Sequence, residues 1–371
     1  MKLLLLAGEE SGVLYAERIR TEVQKTHPDA EIRSYGDYGF KTSDLAVMGV
    51  GQVLRRLFYF LGVKRTMERA IDEWKPDVVC TVDYPGMNLK LAAYAKARGI
   101  RAVHVVCPQV WAWKRGRIPK IEASLDKLCC FFPFEPALFK PGFAEFVGHP
   151  LVDEMARERL NTETQRHREG KTLAILPGSR LGEIEKILPT LLQVAQELQK
   201  SLCLSASVFK VIIPAANDRA YRVISSYVSR LKSSSLRVTH GGARAALRDA
   251  DAAIVASGTA TLEAALAGCP TVLVYKVGWL FAFLARRFIK GIRHIGLANV
   301  IAEKAGVACP MPELLQEDFT AGNILRCVVP WLEDAAANAA ARQLLAETMK
   351  LLKSDGGAIG RIARSLEKER K

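Results

Sequence analysis

The residues best suited to chemistry lie in short turns that follow apolar runs. Leu173-Ala174-Ile175-Leu176 leads into Pro177-Gly178-Ser179-Arg180, with Glu183 following where a helix is expected to begin. Backbone N–H groups at such a turn can hold phosphate oxygens, and a guanidinium adds a bidentate clamp. The same residues also read as a plain strand–helix connection with a surface arginine. Ala253-Ile254-Val255-Ala256 leads likewise into Ser257-Gly258-Thr259-Ala260-Thr261, then Leu262-Glu263. Side chains this small let a diphosphate approach the backbone, and a helix N-terminus supplies partial positive charge. Glu263, about one turn into that helix, could accept hydrogen bonds from a ribose diol. The alternative is that Thr259 or Thr261 simply caps the helix.

The first half carries its own candidates. Asp83 closes the run Val78-Val79-Cys80-Thr81-Val82, where a carboxylate could deprotonate an acceptor hydroxyl or cap the next turn. Cys107-Pro108-Gln109-Val110-Trp111-Ala112-Trp113 ends the next strand at the same edge. Two tryptophans there suit a sugar- or lipid-facing wall, with one of them expected to pack inside. Gly8-Glu9-Glu10-Ser11-Gly12 lacks the G-x-G-x-x-G fingerprint, which argues against a nicotinamide or flavin cofactor. Asp249-Ala250-Asp251 has the D-x-D spacing of some metal-dependent sugar transferases, but it precedes its strand. The histidines at 27, 104, 149, 167, 240 and 294 show no ligand spacing. A surface turn is expected at 249–251, with no metal and no cofactor.

These turns need elements to hold them. Apolar runs at 3–7, 78–82, 102–106, 173–176, 210–213, 253–255 and 271–274 read as buried strands, separated by helical patterns such as Tyr15, Ile19 and Val23 and the stretch 187–202. Apolar strands alternating with helices indicate parallel sheets covered on both faces. Residues 156–171 are polar and charged, and a new strand–turn–helix series starts after them. The expected fold class is therefore α/β, with two Rossmann-like domains facing a cleft and binding ligands at strand carboxyl ends. The expected parts are an amino-terminal domain at 1–155, a linker at 156–171, a second domain at 172–333 and a helical segment at 334–371.

One stripe breaks the pattern. Val50, Val53, Leu54, Leu57, Phe58 and Leu61 follow helical spacing, with Tyr59 and Phe60 beside them and Arg55, Arg56, Lys64 and Arg65 flanking. A stripe alone usually means core. This one is too wide for a single buried face, which points to an interfacial helix. A similar block at 279–293 carries Arg286, Arg287, Lys290 and Arg293. Each cation near an anionic surface is worth on the order of 1 kcal/mol.

The chain of 371 residues is 49% hydrophobic and 25% charged, which excludes a disordered tail, a collagen-like fibre and a disulfide-dense mini-protein. Its formal charge of +14 favours anionic partners: phosphate esters, an acidic membrane surface or nucleic acid. No RRM, KH or helix-turn-helix signature supports nucleic acid. The eight cysteines form no CxxC pair, several lie in apolar runs, and a reducing compartment fits. The opening residues read as a first buried strand rather than a signal peptide. No uncharged window reaches the roughly 18–20 residues needed to cross a bilayer, so a soluble or peripheral protein is expected.

Taken in order, these motifs resemble the lipid-A-disaccharide synthase family, inverting glycosyltransferases of the GT-B class. The likeness rests on Gly8-Glu9-x-Ser11-Gly12, Leu45-Ala46-Val47-Met48-Gly49, Lys75-Pro76-Asp77, Asp83-x-Pro85-x-x-Asn88, the turn 108–113, Phe132-Pro133-Phe134-Glu135, Gly148-His149-Pro150, Leu176-Pro177-Gly178-Ser179-Arg180-x-x-Glu183 and the turn 256–263. The resemblance implies transfer of 2,3-diacylglucosamine from UDP-2,3-diacylglucosamine to 2,3-diacylglucosamine 1-phosphate. That transfer would invert the anomeric centre, form a β-1,6 link and release UDP, without a metal, at the inner face of the inner membrane. It implies Asp83 as general base and Ser11, Asn88, Gln109 and Trp111 on the acceptor side. It implies Ser179, Arg180, Glu183, Ser257, Gly258, Thr259, Ala260, Thr261, Glu263 and Asn299 around the nucleotide. Leu57, Phe58, Tyr59, Phe60 and Leu61 would meet the anionic membrane surface, no nucleic acid is expected, and a homodimer is left open. Three positions depart from the family: Val13 after Gly12, Gly86 after Pro85 and Ala298 before Asn299. The rival readings are another GT-B UDP-sugar enzyme, such as a peptidoglycan-precursor transferase or an epimerase, and a catalytically impaired peripheral lipid-binding homologue.

Overall fold

Every run expected as a buried strand forms one, and those at 3–7, 78–82, 173–176, 210–213 and 253–255 lead directly into helices. The computed structural model describes residues 1–45, 57–160, 170–201, 209–231, 233–276 and 293–367. By contacts the chain divides into two units, Met1–Asp153 with Leu352–Lys371, and Glu154–Leu351.

The first unit holds a parallel sheet built from β1 (Lys2–Ala7), β2 (Glu31–Arg33), β3 (Val78–Val82), β4 (Arg101–Val105), β5 (Lys127–Cys130) and β6 (Ala144–Phe146), in the order β2-β1-β3-β4-β5-β6. The alternation of a strand decides which side chain goes where. In β1, Leu3, Leu5 and Ala7 join Ile19 and Val23 of the helix Glu10–Thr26 on one face. Leu4 and Leu6 join Val63, Met67 and Ile71 of the helix Leu57–Trp74 on the other. Both faces are covered, so the strand is apolar at every position and reads without a period-two pattern.

The second unit repeats the plan with β7 (Lys171–Leu176), β8 (Phe209–Ala215), β9 (Leu236–His240), β10 (Ala252–Ala256), β11 (Thr271–Tyr275) and β12 (Glu313–Leu315), in the order β12-β11-β10-β7-β8-β9. Its core gathers Leu173 and Ile175 of β7, Ile254 of β10 and Val272 of β11 under Ile187, Leu191 and Leu198 of the helix Leu181–Ser201.

In each sheet the chain order reverses once. The first sheet grows from β1 to β2 on one side and from β3 to β6 on the other. The second grows from β7 to β9 one way and from β10 to β12 the other. A reversal leaves a crevice beyond the carboxyl ends of the two central strands, because the flanking helices depart to opposite faces. Those central strands are β1 and β3 in one unit, and β7 and β10 in the other.

Several expectations change. The strands β2, β5, β6, β9 and β12 were not anticipated; they are three to five residues long and, β5 apart, carry no buried apolar run. The stretch 334–371 is not one terminal piece, since residues to Leu351 belong with the second unit and those from Leu352 with the first. There the helix Ala358–Leu366 buries Ile362, Ala363 and Leu366 against the face of the first sheet that also holds Ile19 and Val23. Of the expected membrane stripe, Phe60 is 8% exposed and packs with Val63 and Met67, so it is a core residue. Tyr59 is half-buried, edge-on to Phe40 and Phe60. Phe58, 87% exposed, and Leu61, 41% exposed, remain on the surface. Val50, Val53, Leu54, Arg55 and Arg56, the side chain of Leu57, and all but Arg293 of the block 279–293 lie outside the described residues. No described helix is long and apolar enough to cross a membrane.

Candidate functional site

In the first unit the β1/β3 crevice is lined by the turns singled out in the sequence. Leu3 pairs with Val78 and Ala7 with Val82, so Gly8 follows in register with Asp83. Asp83 and Tyr84 both adopt left-handed backbone, with φ of 50° and 52°. For non-glycine residues that conformation costs roughly 1–2 kcal/mol each, and such strain persists only where neighbours enforce it. The enforcers are visible. The Asp83 N–H donates to the Val105 carbonyl of β4 at 2.9 Å. Behind the turn, the Asn88 amide donates to the carbonyls of Leu6, Val82 and Asp83 at 3.2, 3.2 and 2.8 Å, while its oxygen accepts the Tyr35 hydroxyl at 2.8 Å. Tyr84 lies over Gly8, where any Cβ would come within 2.5 Å of its ring.

Burial raises the Asp83 carboxyl above the ordinary aspartate range, and the hydrogen bond from the Tyr84 N–H to Oδ1, 2.8 Å, only partly offsets this. Glu9, at the end of β1, is raised too, first by burial and then by the charge of Asp83. Two carboxyls therefore share this edge, and Glu9 was absent from the sequence-derived site. The signal was present in its place at the end of a central strand.

The remaining acceptor-side residues divide. Ser11 and Gln109 are exposed. Trp111 is half-buried, donates from its indole N–H to Glu135 Oε1 at 3.1 Å, and stands edge-on to Phe132 and Phe134. Trp113 is 49% exposed, with the Lys114 ammonium 4.5 Å from its ring centre. Asn88, expected on the acceptor side, is fully buried; both its amide hydrogens bond protein carbonyls and its oxygen accepts from Tyr35, so it holds the turn that carries Asp83.

In the second unit, the β7/β10 crevice opens into a cavity of about 510 Å³. It is lined by Gly178, Ser179, Arg180 and Glu183 after β7, and by Ser257, Gly258, Thr259, Ala260 and Glu263 after β10. Gly258, with φ of 148°, is the N-cap of the helix Thr259–Ala267, and no side chain caps that end. The first-turn N–H groups of a helix lack intrahelical partners and form an anion site. Arg180 is 62% exposed and its Nη1 lies 3.1 Å from Glu183 Oε1. Glu263 Oε1 accepts from Arg244 Nε at 2.8 Å, and the same guanidinium reaches Glu154 and Glu158 at 2.9 and 2.8 Å. Arg244 thus orients Glu263 from outside the cavity lining, a role the sequence did not reveal. The backbone of residues 214–216 and 241–243, also unanticipated, completes the wall.

Two residues expected at the nucleotide are bonded within the protein. Thr261 is buried and its hydroxyl donates to the Gly258 carbonyl at 2.8 Å, closing the first helical turn. Asn299 is 1% exposed, donates to the Met311 carbonyl and Glu313 Oε1 at 2.7 and 2.8 Å, and accepts from the Met311 N–H at 3.0 Å. It pins the helix Leu297–Ala305 to the chain entering β12 and does not line the cavity. At the other end of β10, Asp251 Oδ2 accepts the Thr172 N–H at 2.8 Å, tying β10 to β7.

Comparison with known proteins bears on this arrangement. The chain matches the family described as Lipid-A-disaccharide synthetase over residues 3–356. It is 35% identical over 328 residues to a lipid-A-disaccharide synthase of Syntrophus aciditrophicus, covering 84% of this chain and 83% of the relative. Among solved structures, S. aureus MnaA with UDP superposes with a TM-score of 0.63 at 11% identity, covering 97% of this chain and 94% of that one. MurG of Acinetobacter baumannii gives 0.56 at 13% identity, covering 98% of each. The structural likeness establishes the GT-B type of fold. On the sequence match along nearly its whole length, the chain belongs to the lipid-A-disaccharide synthetase family and is a glycosyltransferase.

Proposed function

We propose that this protein transfers 2,3-diacylglucosamine from UDP-2,3-diacylglucosamine to the 6-hydroxyl of 2,3-diacylglucosamine 1-phosphate, forming a β-1,6-linked disaccharide and UDP. The observation that carries the reading is Asp83, a strained and largely desolvated carboxylate at the reversal point of the first sheet. Asp83 accepts the proton of the acceptor hydroxyl as its oxygen attacks the anomeric carbon from the face opposite UDP, inverting that centre. A base whose pKa is raised toward the working pH is better matched to this transfer than an ordinary aspartate.

The leaving group gains charge as the glycosidic bond breaks. The N–H groups at Gly258, Thr259 and Ala260 and the Arg180 guanidinium stabilise the departing diphosphate, and each such donor is worth roughly 10²–10³ in rate. Glu263, oriented by Arg244, accepts from the ribose hydroxyls, and the backbone at 214–216 and 241–243 faces the uracil. Gln109, Trp111 and Ser11 border the acceptor. Phe58 and Leu61, with exposed Arg65 one turn on, favour work at an anionic bilayer, the inner face of the inner membrane, where diacylated sugars reside.

The test supplies both lipids in mixed micelles and detects the tetraacyl disaccharide 1-phosphate by mass spectrometry. Product and UDP in equal amounts, dependent on both lipids and unaffected by EDTA, are expected. UDP released without the second lipid, or no disaccharide, contradicts the reading.

A further inference from the structure

A second cluster of chemistry-bearing groups lies beside the tryptophan turn and takes no part in the transfer. Cys107 follows β4 immediately after Val106, whose φ of 77° turns the chain out of the strand. Cys130 ends the adjacent strand β5, where Val105 pairs with Cys129. Strand alternation sends Cys129 to the sheet face that holds Val105 and Ile362. It sends Cys130 to the opposite face, where Cys107, Leu128 and Phe143 pack around it. Glu135 reaches the same place from the turn after β5 and is 1% exposed.

The two thiol sulfurs and a Glu135 carboxylate oxygen all lie within 4.8 Å of one another. Among the described residues no Lys or Arg pairs with Glu135. Its protein donors are the Trp111 indole and the Phe132 N–H, each at 3.1 Å, together with the Phe131 N–H and the Cys107 thiol. Metal–ligand bonds of about 2.3 Å to sulfur and 2.0–2.2 Å to oxygen in tetrahedral geometry need only a small contraction of this triangle.

We propose that Cys107, Cys130 and Glu135 form a structural site for a thiophilic divalent cation of the zinc class. On binding, two metal–sulfur bonds and one metal–oxygen bond form, the two thiol protons and the Glu135 carboxyl proton leave to solvent, and one water kept from the hydrated cation fills the fourth position. The Trp111 indole then serves as the outer hydrogen-bond donor to the ligating carboxylate, so the cation ties the ends of β4 and β5 to the tryptophan turn.

Cobalt(II) titrated into the reduced full-length protein is the first measurement. One equivalent is expected to produce a thiolate-to-cobalt charge-transfer band, displaced by zinc. Affinity is expected to fall at least tenfold in Cys107→Ala and in Cys130→Ala, and to stay unchanged in Cys129→Ala, whose thiol neighbours Cys130 on the opposite face. Cadmium NMR of the wild-type protein, which needs no variant to fold, is expected to report two sulfur ligands. Absence of the band at stoichiometric cobalt overturns the proposal, as does a cadmium shift typical of oxygen and nitrogen ligands alone. A band that survives in the Cys107→Ala, Cys130→Ala double variant and vanishes in Cys309→Ala also overturns it. That result assigns the cation to the exposed thiol 3.3 Å from His294 Nε2.

Discussion

At the scale of single residues, the site depends on a carboxylate kept uncomfortable by its surroundings. Asp83 stands in left-handed backbone, desolvated, with Glu9 nearby. The proposed role as a base requires the ionised form, so activity is expected to fall as pH drops through its raised pKa. The charge of Asp83 helps raise the Glu9 carboxyl, and because such repulsion is mutual, a charged Glu9 opposes ionisation of Asp83. Glu9→Gln is therefore expected to move the acid limb of the kcat/KM profile to lower pH; an unmoved limb, or one displaced upward, contradicts the coupling. Asp83 was legible because an acidic residue directly after an apolar strand is conspicuous. The internal bonds of Asn88 and Asn299 were not legible, for the converse reason. A motif locates an amide along the chain but not the carbonyls that surround it, and both amides spend their hydrogen bonds inside the protein.

At the scale of elements, the two working turns follow central strands, and that is why they could be found. β1, β3, β7 and β10 are buried on both faces, and their apolar runs stop where the turns begin. Edge strands such as β2 and β12 are three residues long and half-buried or exposed, so hydrophobicity hardly marks them. The helix Leu57–Trp74 shows the limit of pattern reading. Its apolar residues alternate between the core, with Phe60, Val63 and Met67, and the surface, with Phe58 and Leu61. Of the proposed membrane contact, Phe58 and Leu61 are thus the described residues left on the surface to make it. The double variant Phe58→Ser, Leu61→Ser is expected to float with anionic liposomes several-fold less than wild type while keeping its melting temperature within a few degrees. Equal flotation would remove this helix from the membrane contact.

At the scale of the whole molecule, the chain leaves the first unit after Asp153 and returns to it at Leu352, so the first core is completed only by the last residues. Sequence periodicity marks that last helix but not its destination, because the contact is separated by more than three hundred residues from Ile19. The opposite face of the same sheet holds a pH-sensitive group. His104 is fully buried on β4, bonded through Nδ1 to the Thr81 hydroxyl at 2.7 Å, with Nε2 lacking a partner, and burial lowers its pKa to about 3. The unfolded chain binds a proton near pH 6.5, and the folded one does not until about pH 3. Stability present above pH 6.5 is therefore lost as pH falls through that window, by up to about 1.4 kcal/mol per pH unit. His104→Asn is expected to flatten the slope of unfolding free energy between pH 6.5 and 5, and an identical slope would contradict it. The central claim, a carboxylate base acting on a sugar held by its uridine diphosphate, is tested most directly by Asp83→Asn. Turnover and UDP affinity are compared on the same preparation. The account predicts a kcat lowered about 10²–10⁴-fold with the UDP dissociation constant unchanged. Turnover equal to wild type would contradict it.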